Sequence, residues 1–350
     1  MKRKNFLTLL IMGAATTVAM TSCHNSDLDF PDFDYSAVYF PYQTPVRTIV
    51  LGEDTYDTTN DNAHQCEVYA TLSGLYENTK NVVVDIEVDN SLCDNLTFTD
   101  DEQTAVKPLP SSYYNLTADQ ISLNKTLSAG VLVKLTDAFF ADPDAIKTTY
   151  VLPLKMTEVS GADSILMGTA VATYPIATKE DDWSVAPKHY VLYALKYINP
   201  WHAYYLRRGE DKITEDGTTT TALRHEEYVE YDEVVSMSTV SMTETLYPVT
   251  LSIAQADGSA NDVREFNLDL IFDGDDITVE SSSSNVLSAS GSGKYVVDGE
   301  LKSWGNEDRN AIYLSYQVTL DDGIKVETTD TLVVRNRGVT LETFSYTYNE

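Results

Sequence analysis

Along most of the chain apolar residues recur at every second position, in short runs closed by turn-forming residues. In "NVVVDIEVDN" (81–90), Val82, Val84, Ile86 and Val88 fall on one side of an extended backbone and Val83, Asp85 and Glu87 on the other. That is the period of a half-buried strand. "CEVYATLSG" (66–74), "GVLVKLTD" (130–137) and "YVLPLKM" (150–156) read the same way. Pro153 lacks a ladder donor, so its strand is expected to lie at a sheet edge or to carry a bulge. "ADPDAIKTT" (141–149) has room for one helical turn. Residues 36–178 therefore offer seven or eight strands at sandwich-like spacing.

The pattern stops at "ATKEDDWSVAPK" (177–188), which has three consecutive acids, a proline and no periodicity. Residues 179–188 read as an interdomain linker. "HYVLYALKYINPWHAYYLRRGED" (189–211) follows. Val191, Leu192, Leu195 and Ile198 partly fit a helix, but the aromatic and β-branched content of Tyr190–Ile198 favours a strand. Downstream, Ile312, Leu314, Tyr316, Val318 and Leu320 alternate with Tyr313, Ser315, Gln317 and Thr319, and Asp321-Asp322-Gly323 marks a hairpin. Residues 189–350 are expected to form a second all-β domain. Ser281–Ser284 and "SASGSG" (288–293) are turns rather than phosphate loops, because no Lys-Ser/Thr and no strand-to-helix context accompany them.

Residues 1–22 depart from this pattern. Lys2, Arg3 and Lys4 precede an uncharged segment from Phe6 to Met20 that Gly13 and several threonines make too polar for a stable span, as in a secretory signal peptide. Met20-Thr21-Ser22-Cys23 resembles a bacterial lipobox. By that resemblance Cys23 is the lipidated first residue of the mature chain and its acyl groups tether the body to a membrane without a spanning helix. Residues 23–35 then form an acidic tether carrying Asp27, Asp29, Asp32 and Asp34.

The chain has 24 Lys plus Arg against 54 Asp plus Glu, a net charge of −30. A nucleic-acid partner requires a basic face and is excluded. Of the three cysteines, Cys66 and Cys93 remain after lipidation, either as a disulfide pair or as buried thiols. The five histidines show no zinc spacing, no G-x-S-x-G elbow occurs, and the acid pairs Asp181/Asp182 and Asp275/Asp276 read as solvated loops. "NDN" (60–62) and "DGDD" (273–276) supply oxygen ligands but lack the spacing of a calcium loop. No cofactor, metal site or catalytic residue is therefore assigned.

Aromatic residues offer another chemistry. Tyr numbers 23 against 10 Phe, and the three tryptophans, Trp183, Trp201 and Trp304, fall in the later part of the chain. Trp201 with Tyr204 or Tyr205, and Trp304 with Asn306 and Arg309, are expected near strand ends or loops, where aromatic faces and polar groups can hold sugar rings. A barrel or sandwich of this size also needs aromatic core plugs, and core or interface is the favoured role for each tryptophan.

The order of parts, from lipobox and acidic stretch through "YVLPLKM" to "DDWS", "YVLYALKYINPWHAYYLRRG" and "KSWG…YLSYQV", is similar to a family of Bacteroidetes surface lipoproteins. These are often encoded beside starch-utilisation-type outer-membrane transporter pairs, and the resemblance implies an all-β fold in which residues 36–178 form an N-terminal immunoglobulin-like β-sandwich of unknown function and residues 189–350 a C-terminal antiparallel β-barrel (lipocalin-like) or sandwich. The resemblance implies an outer-membrane location facing the cell exterior, with a periplasmic face as the alternative. It further implies a non-catalytic role holding polysaccharide or oligosaccharide for a transporter pair. An adhesive, fimbrial subunit is a second reading and would need cleavage near Arg47. A glycan hydrolase with an all-β catalytic domain is a third. Asp57-Thr58-Thr59, Asp163-Ser164-Ile165 and Asp330-Thr331-Leu332 resemble the O-glycosylation sequon of the same phylum.

Overall fold

A computed structural model describes residues 32–253 and 261–350. Cys23, the signal segment, Asp27 and Asp29 lie outside the described residues. Strands numbered along the chain build two modules.

In the first module, one sheet runs β12 (Ser164–Ile165), β1 (Ala37–Tyr39), β3 (Gln65–Ser73), β10 (Ser128–Leu135), β8 (Tyr114–Leu116). The facing sheet runs β25 (Glu342–Thr343), β2 (Pro45–Val50), β15 (Tyr190–Ile198), β11 (Tyr150–Ser160), β4 (Asn81–Val88), β9 (Gln120–Asn124), with β7 (Lys107–Pro108) also on β11. Val38, Val68, Val133, Val84, Leu154 and Leu195 fill the core between them. A third layer covers the far side of the second sheet. It comprises β26 (Tyr346–Tyr348), β5 (Leu96–Phe98) and β6 (Asp101–Ala105), and it buries Leu96, Phe98 and Phe344 against Val151, Leu192 and Ala194. The sheet between these layers is buried on both faces, which is why β15 reads as a nearly continuous apolar run instead of an alternation. Two short helical turns, α1 (Thr59–Asn62) and α2 (Asp137–Phe140), punctuate the module. A 3-10 turn at Pro143–Ile146 falls within the stretch where the sequence leaves room for one.

The second module is a closed antiparallel barrel of eight strands. β16 (Ala203–Glu215), β18 (Glu233–Thr239), β19 (Glu244–Ile253), β20 (Asp262–Asp273), β21 (Asp276–Glu280), β22 (Val286–Glu300), β23 (Arg309–Leu320) and β24 (Lys325–Asn336) follow one another, and β24 pairs back onto β16. β17 (Thr218–Arg224) extends the outer half of β16 as a hairpin. Closure removes most free edges, and the alternation predicted for β23 holds: Ile312, Leu314, Tyr316, Val318 and Leu320 face the barrel core. The Asp-Asp-Gly turn joins β23 to β24, with Gly323 at φ 89.

One expectation changes and two open alternatives are decided. The expected boundary at residue 189 moves to Asn199-Pro200, because Tyr190–Ile198 lies between β2 and β11 of the sandwich. The expected linker does not cross between modules. It lies along the sandwich, where β14 (Trp183–Val185) pairs with β13 (Thr169–Ala170) and Lys188 N–H donates to Leu166 O at 2.9 Å. Residues 339–350 also return to the sandwich through β25 and β26. Acidity and lack of periodicity mark exposure, and a stretch laid on a sheet is as exposed as a tether.

Secondly, of the two settings expected for the Pro153 strand the edge is ruled out, since β11 has strands on both sides, and the bulge is present. The ladder to β4 begins at Leu154, one residue later, and its bulge falls between Met156 and Glu158. Thirdly, Cys66 and Cys93 are free thiols. Cys66 packs between the two main sheets and Cys93 in the outer layer, so the sheet separates them. Burial pushes both thiols up to about 12.

Asn199 and Arg337 join the modules. The Asn199 amide donates to Ser241 O and Glu244 O at 2.9 Å each. Buried Arg337 donates to four carbonyls: Leu51 O (3.0 Å), Glu53 O (2.9 Å), Asn199 O (2.6 Å) and His202 O (2.7 Å).

Candidate functional site: a polar groove on the barrel

Alternation along β16, β23 and β24 sends one set of side chains inward and the other outward, and each set forms its own polar assembly. Inside, Arg207 is fully buried and its Nε lies 3.3 Å from Asp330. Asp330 also accepts from Arg224 Nη2 (2.7 Å), Tyr247 Oη (2.8 Å) and Tyr316 Oη (3.0 Å). Arg224 bonds Asp211 at 2.6 Å, and Thr328 Oγ1 donates to the same carboxylate at 2.7 Å. Gly209 makes room for the cluster, since a Cβ there would lie 2.1 Å from Thr329 O and 2.7 Å from Asp330 Oδ1. Burial raises the Asp330 carboxyl, but the adjoining Arg207 and Arg224 charges and the hydrogen bonds outweigh it, and the net effect is downward. Asp330 and Asp211 are buried and engaged, Glu233 reaches Arg207 Nη1 at 3.2 Å from a part-exposed position, and Arg207 Nη2 and Arg224 Nη1 have no hydrogen-bond partner among the described residues. The cluster cross-links β16, β17, β19, β23 and β24.

Outside, two adjoining depressions of about 510 and 360 Å³ share Glu210 and Thr329 and form one groove across β17, β16, β24, β23 and β22. These volumes are typical of small-ligand sites. The lining of the larger includes Arg208, His225, Tyr313 and Thr331; that of the smaller includes Lys212, Ser290, Ser315 and Gln317. Tyr313 Oη lies 2.9 Å from Gly299 O and from Glu300 Oε1, which pins the ring. Burial, reinforced by Glu300, pushes its hydroxyl up to about 12 and keeps it a donor. Arg208 is held by Asp232 at 2.6 Å, and Gln317 Nε2 reaches Ser290 Oγ at 3.2 Å. The groove thus offers hydroxyls, an amide, both signs of charge and an anchored aromatic ring. Among the described residues no group of His, Cys, Asp and Glu could hold a metal ion.

The residues expected to bind glycan divide between the barrel interior and its rim. Trp201 stacks on Phe272 with ring centroids 3.7 Å apart and planes at 11°, and Tyr205 is wholly buried with its hydroxyl on Trp201 O at 2.8 Å. These two plug the barrel. Tyr204 points outward, 42% exposed, against Gly338. Trp304, Asn306 and Arg309 do come together in the β22–β23 connection. Arg309 lies 3.7 Å over the indole and Trp304 Nε1 donates to Val334 O at 3.1 Å, so one ring face and the N–H are already occupied. Asn306 is exposed at φ 58. Tyr313, Ser315 and Gln317 were visible in the sequence as the polar side of the β23 alternation. Their meeting with Arg208, His225 and Thr331 depends on barrel closure, which no local pattern reveals.

The three O-glycosylation-like triplets occupy different settings. Thr58 is buried and donates to Gly52 O at 2.8 Å, Ser164 lies in β12, and Thr331 lines the groove.

An all-β two-module body with a polar surface groove defines the class. Residues 33–163 match a family described as an N-terminal domain, and residues 200–338 match a domain of unknown function, DUF5627. A crystal structure of a Bacteroides ovatus protein of unknown function is 46% identical, covers 91% of this chain and 100% of its own, and superposes with a TM-score of 0.84. The chain belongs to the same family as that protein. No curated protein matches it. Among the described residues no helix is long and apolar enough to cross a membrane.

Proposed function

We propose that this chain is a lipid-anchored, surface-exposed, non-catalytic glycan-binding protein of the outer membrane, and that it serves a polysaccharide-uptake transporter pair. The groove carries the reading. Its hydroxyls, amide, carboxylates and pinned tyrosine match what a polyhydroxylated ring can use, and its mixed charges favour a neutral polymer over a polyanion on a chain of net charge −30. The leader ending in Met20-Thr21-Ser22-Cys23 supports the anchor.

The adhesive reading has less support. Cleavage at Arg47 would remove β1 and cut β2, two strands of the sandwich, and would break the ion pair that Arg47 makes with buried Asp61. A glycan array and affinity-gel screen of residues 25–350, with reducing-sugar release assayed on each hit, tests the proposal. Retention by a neutral polysaccharide without product is expected. Product release, or retention by none of the glycans, would overturn it.

A further inference from the structure

The barrel groove has an internal order that strand register sets. On β16, β24 and β23 every second side chain faces outward, and the pairing lines those residues up in rows. Tyr313 lies opposite Thr331, and Thr331 opposite Arg208. Two rows further on, Gln317 lies opposite Glu327, and Glu327 opposite Lys212. The larger depression sits on the first of these rows and extends to Leu223 of β17, and the smaller sits on the last and extends to Ser290 of β22. Glu210 and Thr329, from the row between, belong to both.

The depressions are thus offset by one strand and by one row, so the groove runs obliquely to the strands. With about 4.8 Å between strands and about 3.4 Å per residue, their centres lie about 8 Å apart. One pyranose ring cannot fill both, whereas a chain of linked rings laid along the oblique line can.

The two ends differ in chemistry. At the first, Tyr313 is fixed through its hydroxyl and presents a ring face, and the neighbouring Arg208 charge is balanced by Asp232 at 2.6 Å. At the last, Gln317, Lys212 and Glu327 are exposed, and together they donate and accept hydrogen bonds. The first end suits the C–H face of a sugar and the last suits its hydroxyls.

We infer that the two depressions are successive subsites for one glycan chain, a ring-face subsite at Tyr313 and a hydroxyl-reading subsite at Gln317, so that the ligand is a linear glycan longer than a disaccharide. This rests on the glycan-binding reading and adds selection for chain length to it.

Pullulan, laminarin, galactomannan and arabinoxylan serve as probes in affinity gels, and the disaccharide and tetrasaccharide of the retained polymer are then titrated calorimetrically. Wild type is expected to bind the tetrasaccharide at least about tenfold more tightly than the disaccharide, through the hydrogen bonds gained at the second subsite. Gln317→Ala should cut that ratio to about threefold or less. Tyr313→Ala should weaken both ligands about three- to tenfold and leave the ratio standing. A groove that had merely loosened would not move the ratio in one variant and the absolute affinity in the other. Equal affinity for the two ligands in wild type, or a ratio unmoved in Gln317→Ala while Tyr313→Ala weakens binding, overturns this inference and leaves the groove reading standing. Retention of a polymer with both variants unaltered, or no retention of any probe, overturns both.

Discussion

Replacing Arg337 by methionine isolates what holds the two modules together. Its guanidinium donates to Leu51 O and Glu53 O on the sandwich and to Asn199 O and His202 O at the junction, with no carboxylate in direct contact. The bonds to Leu51 O and Asn199 O are fully buried, and an orphaned buried acceptor costs about 1–3 kcal/mol, so these two alone account for about 2–6 kcal/mol. Burial disfavours the charge and pulls the guanidinium below its ordinary value, so its removal returns part of that cost. The net expectation is a loss of about 3 kcal/mol, or about 6 °C in Tm. Differential scanning calorimetry should show one transition for wild type and two for Arg337→Met, as sandwich and barrel unfold separately. Arg337→Lys keeps the charge but not the planar fork and should fall nearly as far. A methionine variant that melts as a single transition within about 1 °C of wild type would refute the argument.

Other consequences are as direct. Asp330→Asn leaves Arg207 and Arg224 short of a buried counter-charge and should cost about 3 kcal/mol in urea melts at pH 7. Because the folded Asp330 carboxyl is depressed, its contribution is present above the unfolded value near ~3.9 and is lost as pH falls through the lower folded value, so the variant should lose that part of the acid limb. His202 is held neutral in the fold. Burial, then the Arg337 and Lys196 charges, pull it from 6.5 to about 4, and its Nδ1 accepts from Thr239 N–H at 3.0 Å. Stability tied to neutral His202 is therefore complete above pH 6.5 and declines as pH falls toward about 4. His202→Asn should flatten that slope in thermal melts. Cys66 and Cys93 should resist a thiol reagent in the native protein and titrate as two thiols in guanidinium.

The sequence was most informative where one face of a strand meets core and the other meets water. β4 and β23 announce themselves by a period of two, and the Asp-Asp-Gly turn places the β23–β24 hairpin. β15 belongs to a sheet covered on both faces, so its run carried strand type without saying which module it completes. Its sandwich partners β2 and β11 are distant in sequence. The tail strands β25 and β26 are too short for any periodic signal. The same limit governs the site. Tryptophans stand out in a sequence, yet Trp201 fills the barrel and Trp304 is capped by Arg309. The groove is made from ordinary threonines, serines and one tyrosine, which acquire meaning only when β24 closes on β16.

Calorimetric titration of the glycan retained in the screen, against wild type, Tyr313→Ala and Gln317→Ala, is the most direct test of the central proposal. Tyr313→Ala should weaken groove binding about three- to tenfold by loss of the ring face. Gln317→Ala should weaken it less, and both variants should keep the wild-type melting profile apart from a small shift. Unchanged affinity in both, with the glycan still bound, would move the binding site off the groove and contradict the account.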